Sequence, residues 1–471
     1  MFMKNTLIIG AGSAGELLGI LLINNERLKK IYNIVGYLDD NRKEFILDFP
    51  ILGKIDDAPE IIKKYSVEEV FIAIPSASEA LINRIFKIIL PLRVRAKIVP
   101  GMYEIVEGNF DLRQLRKINI EDLLGREEVG FDIEKISPYY EGKKILVTGA
   151  GGSIGSEIVK QLLSLPVEKV YAFGHGENSI HSLITKFSDD KRFHYIIGDI
   201  RDISKLNHEF YFLKPDIVFH AAAHKHVPLM EEYPDEAIKN NIIGTFNVAL
   251  TSSKFNVKKF ILISTDKAVN PSSIMGATKR IAEKIILSMN NFSLTSFSLV
   301  RFGNVLGSRG SVVPVFKEQI ENGGPLTVSH PEVTRYFMSI REASRLVIKS
   351  ATLNNGNIFV LDMGKPVKIL DLAKNMLYML GYSEDEIPIV FTGLKKGEKL
   401  HEEIFYSKEN ISKSKFEKLF ISQEKNSFYS KRELFKLIKE FQKVAETYDK
   451  EKVKNLIKKY LPEYRNGEAD E

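Results

Sequence analysis

A hydroxyl, a carboxylate and an ammonium group stand side by side in the segment 264–267 (Ser-Thr-Asp-Lys), directly after the apolar run 260–263, which predicts a strand. Met275 and Lys279 follow four positions apart on a predicted helix and therefore share one of its faces. Together these groups provide a hydrogen-bond donor, an acid and a base. A helix cap is the alternative, since Ser, Thr and Asp also favour that position. The candidate catalytic positions are Thr265, Asp266, Lys267, Met275 and Lys279.

A glycine-rich turn lies between a predicted strand at 144–147 and a predicted helix. Its sequence at 148–155 is Thr-Gly-Ala-Gly-Gly-Ser-Ile-Gly, with three glycines spaced three residues apart. Glycines let the backbone turn tightly and let a pyrophosphate approach the free amides at the helix N-terminus. A purely structural turn is the alternative, but the order of strand, turn and helix favours dinucleotide binding. The candidate cofactor contacts here are Gly149, Gly152, Ser153, Ile154 and Gly155.

The next two strand ends bear on the choice of dinucleotide. Sheets that bind NAD place an Asp or Glu at the end of the second strand, against the ribose hydroxyls. This chain has Gly-His-Gly at 174–176 instead. Two interpretations stay open: Glu177 substitutes for the missing carboxylate, or His175 and nearby lysines accept the 2′-phosphate of NADP, which we expect to bind at least as well as NAD. At the third strand end we expect Asp199 and Ile200 to face the adenine.

A histidine-rich segment, 220–226 (His-Ala-Ala-Ala-His-Lys-His), follows another predicted strand. It has no carboxylate or cysteine at ligand spacing, so we do not expect a metal site. The small side chains of Ala221, Ala222 and Ala223 favour close packing against the nicotinamide ribose, and Lys279 is a further candidate cofactor contact.

A second glycine turn, Gly-x-Gly-x-x-Gly at 10–15, stands near the start of the chain. It lies between a predicted strand and a predicted helix, and Asp39 and Asp40 end the following strand. Two interpretations remain: the turn binds a nucleotide, or the domain retains the turn and serves assembly or regulation.

Short apolar runs alternate with amphipathic stretches in two series, which is the pattern of βαβ units. The first series predicts strands at 7–9, 34–38, 70–74 and one ending at 99–100, with a first helix reaching about residue 28. The second predicts six strands: 144–147, 170–173, 195–197, 217–220, 260–263 and 296–300. The predicted fold class is α/β, with two Rossmann-like doubly wound parallel-sheet domains, the second carrying a smaller C-terminal substrate-binding subdomain.

Four regions follow from this pattern. We expect a nucleotide-binding domain at 1–100, a connector at 101–142, a catalytic domain at 143–405 and a helical tail at 406–471. Within the substrate-facing subdomain, the sequence predicts a strand at 358–361 and a helix at 369–380.

The composition narrows the class of protein. Of 471 residues, 44% are hydrophobic and 27% are charged, which is typical of a soluble globular chain. The net charge is +6, and residues 411–471 alone supply 15 − 11 = +4, so the body lacks the basic excess of a nucleic-acid-binding protein. There is no cysteine. The apolar stretch at 17–23 is far shorter than the roughly 20 residues of a membrane span, and no signal peptide is evident, so we expect a cytoplasmic location.

The motifs in combination resemble those of extended short-chain dehydrogenases/reductases, and most closely the CapD-like nucleotide-sugar 4,6-dehydratases of polysaccharide biosynthesis. The matching segments are 148–157, 220–231, 264–280, 301–316, 333–338 and 393–403. The sequence Gly-Tyr-Leu-Asp-Asp at 36–40 resembles the domain that precedes the catalytic domain in long members. Met275 stands where most short-chain dehydrogenases have the Tyr of Tyr-x-x-x-Lys, as it does in the long dehydratases. Long members usually begin with membrane-spanning helices, so a peripheral membrane location stays open for a truncated form.

The resemblance implies a carbon–oxygen lyase that uses NAD or NADP on UDP-N-acetylglucosamine. Hydride leaves C4, water is lost across C5 and C6, and hydride returns to C6, which gives a 4-keto-6-deoxy sugar. By the same resemblance, Lys267 is the base at C5 and Asp266 the acid at the C6 hydroxyl. Thr265 holds the C4 oxygen and Lys279 the nicotinamide ribose. The implied substrate-binding residues are Asn304, Arg309 and Arg335 for the pyrophosphate, Glu398 for the uridine ribose, and Lys225 as a further substrate contact.

Other functions remain open at this stage. A nucleotide-sugar 4-epimerase or a C5-inverting dehydratase uses the same cofactor cycle. A redox sensor or scaffold that binds NAD(P) without turnover is the non-enzymatic alternative, and the intact Asp266, Lys267 and Lys279 speak against it. We expect a UDP-sugar as the partner and a homo-oligomer as the assembly.

Overall fold

The computed structural model describes residues 3–41, 45–74, 77, 79–92, 94–98, 116–117, 130, 133–354, 357–380, 382–406, 409–423 and 429–465. The chain divides into two compact units. The first comprises residues 1–127, 316–328 and 370–390, and the second comprises 128–315, 329–369 and 391–471.

A six-stranded sheet forms the centre of the first unit, in the order β3-β2-β1-β4-β5-β6. Its strands are β1 (Lys4–Ile9), β2 (Tyr32–Leu38), β3 (Ile51–Gly53), β4 (Glu69–Ile72), β5 (Arg95–Ile98) and β6 (Arg116–Lys117). The helices that accompany it are α1 (Ser13–Asn24), α2 (Ala58–Lys64) and α3 (Glu79–Ile89). Leu7, Ile8 and Ile9 are completely buried, as expected for a central parallel strand.

The first helix ends earlier than the sequence predicts, at Asn24 rather than near residue 28. The Asn25 side-chain oxygen accepts hydrogen bonds from the backbone amides of Arg27 and Leu28, at 3.1 and 3.2 Å. An Asn that bonds the following amides favours a turn over a further helical turn.

The second unit is built on a nine-stranded sheet in the order β20-β21-β17-β12-β11-β10-β7-β8-β9. The remaining strands of the chain are β7 (Lys144–Thr148), β8 (Lys169–Gly174), β9 (Phe193–Ile197), β10 (Ile217–His220), β11 (Lys259–Ile263), β12 (Ser296–Arg301), β13 (Asn304–Val305), β14 (Leu326–Val328), β15 (Thr334–Arg335), β16 (Phe337–Met338), β17 (Ile358–Leu361), β18 (Val367–Lys368), β19 (Ile389–Phe391), β20 (Asn410–Lys413) and β21 (Leu419–Gln423).

Thirteen further α-helices complete the described secondary structure. They are α4 (Ile133–Tyr140), α5 (Ser153–Leu163), α6 (Glu177–Phe187), α7 (Ile203–Leu213), α8 (Val227–Glu232), α9 (Pro234–Ala237), α10 (Thr245–Lys254), α11 (Ile274–Met289), α12 (Val312–Glu321), α13 (Ile340–Ala351), α14 (Ile369–Met379), α15 (Lys431–Ala445) and α16 (Lys450–Tyr460). A π-helical turn, Ile238–Gly244, joins α9 to α10.

Seven strands of this sheet, β7 to β12 and β17, run parallel to one another. At one edge, β21 pairs antiparallel with β17, and β20 pairs antiparallel with β21. The α/β fold class with parallel sheets is thereby confirmed. The predicted assignment of 358–361 to the substrate-facing subdomain is wrong. This all-apolar strand is buried on both faces and pairs with β12 in the main sheet.

The other differences lie in the connector and the tail. The predicted connector, 101–142, falls mostly outside the described residues, which include 116–117, 130 and 133–142. The predicted helical tail does contain α15 and α16, but its first part forms β20 and β21, which extend the sheet. No helix in the described parts of the chain has the length and apolar character needed to cross a membrane.

Candidate active site

Three neighbouring strands bring the predicted motifs to one edge of the sheet. β10 pairs in parallel with β7 on one side and with β11 on the other. The carboxyl ends of parallel strands meet at the same edge, which is where ligands bind in open α/β sheets. The glycine turn, the three alanines and the 264–267 segment therefore lie next to one another.

Two glycines of the 148–155 turn are required by the fold itself. Gly149 has a φ of +66°, and a Cβ there would lie 2.5 Å from the amide nitrogen of Ala222. A Cβ on Gly155 would overlap the carbonyl oxygen of Gly149. Ala221 and Ala222 thus pack directly on the turn, and their small size matches this close approach.

Gly152 is different, because its own backbone would accept a side chain. Its φ of −75° and ψ of 169° are ordinary for any residue. A Cβ would meet only the Gly149 oxygen, at 3.1 Å. Gly152 also precedes α5 without a side-chain cap, and the first amides of a helix have no partner within it. Ser153, Ile154 and Gly155 carry those amides, so the turn fits a dinucleotide pyrophosphate.

Arg309 lies at this turn. Its backbone amide donates to the Ser153 hydroxyl at 3.1 Å, and its guanidinium donates to the Gly151 carbonyl oxygen. The resemblance assigns Arg309 to the substrate diphosphate. The structure places it beside the glycine turn, because the loop after β13 passes over the start of α5.

The residues that follow β8 and β9 include the polar side chains of His175, Glu177 and Asp199, whereas Ile200 is apolar. His175 and Glu177 are both exposed at the start of α6, next to the strand end that lacks a carboxylate. The Asp199 carboxylate accepts hydrogen bonds from the Arg201 guanidinium at 2.7–3.1 Å. Burial opposes ionisation of Asp199, but these hydrogen bonds outweigh it and lower its pKa. The Ile200 side chain is 4% exposed and packs in the core, so an adenine contact at this residue would be made by its backbone.

His220 is enclosed rather than presented to a ligand. Its Nδ1 lies 2.6 Å from the Thr148 hydroxyl and its Nε2 lies 3.0 Å from the Thr245 hydroxyl. Burial, with a smaller contribution from Lys279, lowers the pKa of His220 to about 3. His224 is held through its backbone by Asn241, at 2.8 and 3.0 Å. Among the described residues, no cluster of three or more His, Cys, Asp or Glu has the geometry of a metal site.

The segment after β11 combines a local cap with a buried ion pair. Thr265 accepts from the Lys267 amide at 3.4 Å and donates to Asp266 Oδ1 at 2.9 Å. Lys267 Nζ donates to Asp266 Oδ1 at 3.1 Å and to Asn304 Oδ1 at 3.2 Å. Thr265 therefore caps the single turn Asp266–Ala268, while the Asp266 and Lys267 side chains stay available for chemistry.

A second carboxylate, which the sequence reasoning missed, faces the same lysine. Glu402 Oε1 lies 3.4 Å from Lys267 Nζ, and the Glu402 side chain is 4% exposed. Its signal was the Gly-Leu-Lys-Lys-Gly-Glu-Lys-Leu-His-Glu-Glu motif at 393–403, from which only Glu398 had been selected. Burial raises the pKa of Asp266. Burial opposes the charge on Lys267, but the two carboxylates outweigh it and raise its pKa.

Met275 and Lys279 follow on α11. Met275 is 2% exposed and belongs to the hydrophobic core. Lys279 Nζ donates to the Ile263 carbonyl oxygen at 2.7 Å, directly before the catalytic segment. Burial lowers the pKa of Lys279 to about 8, and Glu283 opposes the shift. Lys279 is therefore held at the end of β11 with a proton that it can release near neutral pH.

Cationic side chains surround this centre. Lys225 Nζ lies 3.4 Å from the Ser308 hydroxyl, and burial together with the positive charges of Arg309 and Lys267 lowers its pKa. Arg335 donates to Glu398 Oε1 at 3.0 Å. Glu398 Oε1 also accepts a hydrogen bond from the Ser329 hydroxyl at 2.9 Å. Mutually repelling cations are stabilised by a bound anion, so the arrangement suits a diphosphate.

The loop that carries the candidate catalytic residues is fixed by a segment from late in the chain. The Lys399 ammonium donates to the Val269 oxygen at 3.0 Å, the Tyr406 hydroxyl donates to the Ala268 oxygen at 2.9 Å, and the Ser272 hydroxyl donates to the Gly397 oxygen at 2.9 Å. Backbone groups that are bonded from a neighbouring segment cannot move independently of it, so the catalytic loop is held in one position.

Comparisons with known proteins identify the family to which the chain belongs. Residues 145–424 match the family model of polysaccharide biosynthesis proteins, and residues 3–100 match that of a CoA-binding domain. Pen from Bacillus thuringiensis, known from an X-ray structure, has 33% identity and a TM-score of 0.56, covering 62% of this chain and 90% of Pen.

Two curated relatives carry informative names. A UDP-N-acetylglucosamine 4,6-dehydratase (inverting) of Campylobacter jejuni is 36% identical over 287 residues, 60% of this chain and 83% of that protein. The capsular polysaccharide biosynthesis protein CapD of Staphylococcus aureus is 46% identical over 426 residues, 88% of this chain and 71% of CapD. Because the family model matches more than half of the chain and CapD is 46% identical to it, the chain belongs to the CapD-like polysaccharide biosynthesis family of dehydratase- and epimerase-type enzymes.

Proposed function

We propose that this protein is an NAD(P)-dependent UDP-N-acetylglucosamine 4,6-dehydratase that makes a 4-keto-6-deoxy nucleotide sugar for polysaccharide biosynthesis. The observation that carries the proposal is the hydrogen-bonded pair of Asp266 and Lys267 at the end of β11, where Nζ and Oδ1 are 3.1 Å apart. An elimination across C5 and C6 needs one base and one acid on the same substrate, and this pair supplies both. The similarity to the Campylobacter enzyme supports the choice of sugar.

The turn at 148–155 holds the cofactor. Gly152 leaves room for the pyrophosphate, and the amides of Ser153 and Ile154 donate to it. When bound, the nicotinamide supplies the hydride chemistry, taking hydride from C4 of the sugar and returning it to C6. Lys279 is held at the end of β11 by its hydrogen bond to the Ile263 carbonyl oxygen, directly before the segment that contains Thr265. From there it binds the nicotinamide ribose.

The ion pair reaches its reactive form by a single proton movement. In the resting pair Lys267 is an ammonium and Asp266 a carboxylate. Transfer of one proton from Nζ to Oδ1 along their hydrogen bond gives a neutral amine and a neutral acid, with no proton taken from solvent. Lys267 then removes the C5 proton while Asp266 protonates the departing C6 hydroxyl, which leaves as water. The pair returns to ammonium and carboxylate, and Lys267 then gives a proton back to C5. Uptake of one proton from solvent, equal to the one lost from the C4 hydroxyl, restores the resting ammonium.

The same geometry explains why a tyrosine is not needed at position 275. Thr265 contacts the C4 oxygen, and Lys279, which with a pKa of about 8 is partly a neutral amine near neutral pH, accepts the proton that the C4 hydroxyl loses. Oxidation at C4 acidifies the C5 proton, which Lys267 then removes. Lys225 and Arg335 bind the diphosphate of the substrate, since Arg presents paired donors to phosphate oxygens.

The test is to incubate the protein with UDP-N-acetylglucosamine and NAD or NADP in heavy water and to read the product by NMR. We expect a 4-keto-6-deoxy sugar with one deuterium at C5. The configuration at C5 in that product distinguishes retention from inversion. A product inverted at C4 that keeps its C6 hydroxyl and carries no deuterium at C5 would identify a 4-epimerase. Bound cofactor without turnover of any UDP-hexose would support a sensor or scaffold.

A further inference from the structure

Glu402 occupies a position that fold stability alone does not explain. Its Oε1 lies 3.4 Å from Lys267 Nζ and 3.8 Å from Arg335 Nε. Its Oε2 is buried and has no hydrogen-bond partner among the described residues. A buried carboxylate oxygen without a partner destabilises a fold, so its retention indicates a task at the site.

The two carboxylates that face Lys267 are not equivalent. Lys267 is the ion-pair partner of Asp266 among the described residues. Glu402 is near Lys267, Arg335 and Lys399, whose charges outweigh the cost of burial and lower its pKa. Burial and the charge of Glu402 instead raise the pKa of Asp266 against the effect of Lys267. Glu402 therefore keeps its negative charge under conditions in which Asp266 accepts a proton.

We propose that Glu402 is a positioning residue for Lys267: its carboxylate anchors the lysine amine opposite Asp266, stays ionised throughout turnover and thereby directs the mobile proton of Lys267 to Asp266. This inference rests on the proposed dehydratase function. It assigns the acid to Asp266 because Glu402, although similarly close to the lysine, does not take up the proton. Glu402 touches neither of the substrate positions assigned to the pair and acts through Lys267.

The pH dependence follows from the charges that face Lys267. These are Asp266 on its own loop, Glu402 on the late segment, Arg335 on β15 and Lys225 after β10. Protonation of Asp266 at low pH leaves no base, and deprotonation of Lys267 at high pH leaves no acid, so kcat has a bell-shaped pH profile whose two limbs belong to the pair. Both groups lie near the negative charge of Glu402, so its loss lowers both pKa values.

The principal experiment is the pH profile of kcat for Glu402→Gln. We expect the whole bell to move to lower pH by about 1 to 3 units, the usual effect of a charge at 4–6 Å. Its height should fall on the order of tenfold, because a less basic amine removes the C5 proton more slowly. KM should change less than kcat. Glu402→Asp, which keeps the charge, should retain the wild-type position of the bell.

The neighbouring Glu403 offers a matched control. Its side chain is 41% exposed and its Oε2 accepts a hydrogen bond from Asn270 at 2.5 Å, which a glutamine oxygen can also accept. Glu403→Gln makes the same chemical change one residue away and should leave the bell in place. If Glu402→Gln lowered the maximum of the kcat–pH profile without moving it along the pH axis, Glu402 would have only a structural role and the proposal would be overturned.

A second measurement does not depend on turnover. Competitive acetylation by acetic anhydride across a pH series, read by mass spectrometry of the peptide that contains Lys267, gives the titration of this amine. Its midpoint should lie above that of exposed lysines in the wild-type protein and should fall in Glu402→Gln. An ordinary midpoint in the wild type overturns the proposal even if the variant fails to fold. Absence of turnover with a shifted midpoint would refute the dehydratase function and leave the charge assignment intact.

Discussion

His220 and Thr148 are register partners on neighbouring parallel strands, and the His220 Nδ1 lies 2.6 Å from the Thr148 hydroxyl in a fully buried contact. The other ring nitrogen faces the Thr245 hydroxyl at 3.0 Å. A neutral imidazole, with one donor and one acceptor, satisfies both hydroxyls without a buried charge. The strand ends that support the glycine turn are therefore joined by a histidine that must stay neutral.

We expect this histidine to make the fold sensitive to acid. Its pKa is about 3 in the folded protein, against 6.5 for an ordinary histidine. The unfolded chain therefore binds one more proton between these values. The stabilisation is fully present above pH 6.5 and is lost as the pH falls towards 3, by about 1.4 kcal/mol per pH unit. Urea unfolding from pH 7 to 4 should show a smaller pH dependence for His220→Gln than for the wild type. Parallel curves would contradict the prediction.

Gly152→Val should abolish cofactor binding without unfolding the protein. The backbone at Gly152 already has a conformation that valine adopts. A Cβ would lie 3.1 Å from the Gly149 oxygen, a tight contact that a shift of a few tenths of an ångström relieves. The branched side chain would occupy the space into which the pyrophosphate must come. Calorimetry with NAD and NADP should detect no binding, while the thermal unfolding midpoint changes little.

Gly130→Val is a suitable control for that variant, because a Cβ at Gly130 has no neighbour within 4 Å. It makes the same replacement away from the turn and should leave the affinity unchanged. A folded Gly152→Val protein with wild-type affinity for the dinucleotide would remove the turn from the cofactor site.

Lys267→Ala should keep bound cofactor and substrate but stop exchange of the C5 proton with solvent. Without the amine no base faces C5, and removal of such a group typically reduces the rate on the order of 100- to 10,000-fold. Deuterium incorporation at C5 in heavy water, followed by NMR, measures this step. Exchange at the wild-type rate would show that another group is the base.

Asp266→Asn should separate the two halves of the elimination. An amide cannot donate the proton that the C6 hydroxyl needs. Lys267 still loses its own proton at high pH, and the neutral amine can then remove the C5 proton. We expect C5 exchange to survive while water loss fails. Mass spectrometry of the product for the loss of water, set beside the NMR exchange rate, separates the steps. Loss of both at the same rate would argue against Asp266 as the acid.

Met275→Leu should leave turnover within roughly tenfold of the wild type, because Met275 is 2% exposed and packs in the core, and leucine has a similar volume. Steady-state kcat at neutral pH measures the effect. If Met275→Leu were inactive while Lys267→Ala remained active, the assignment of the base would be wrong, and the 264–267 segment would be only a helix cap.

Local patterns were sufficient to predict the parallel sheets. Each strand from 144 to 300 is a short apolar run followed by a helical period, and the order of strand, glycine turn and helix at 148–155 leaves few alternatives. The sequence pattern does not predict the strands at 410–413 and 419–423. The edge strand β20 is exposed and polar, and the short apolar start of β21 becomes a strand by pairing with β17 and β20. Such pairing depends on tertiary contacts that periodicity does not encode.

The site was predictable to the extent that its residues adjoin strand ends. Thr265, Asp266 and Lys267 are in this class. Glu402 is not, because it reaches Lys267 from a segment far along the chain, and only folding brings the two together. The Ile200 side chain illustrates the converse, since its position at a strand end suggested a ligand contact while its apolar character placed it in the core.

The late segment also has a consequence for synthesis. Arg301 pairs with Glu409 at 2.7 Å across 108 residues of chain, and Lys267 pairs with Glu402 over a still longer stretch. On a ribosome, the glycine turn and the Asp266–Lys267 pair emerge well before either glutamate. A nascent chain thus carries Asp266 and Lys267 before Glu402, the residue that we propose anchors the lysine, has been made. The acid–base pair is therefore complete in sequence before it is positioned.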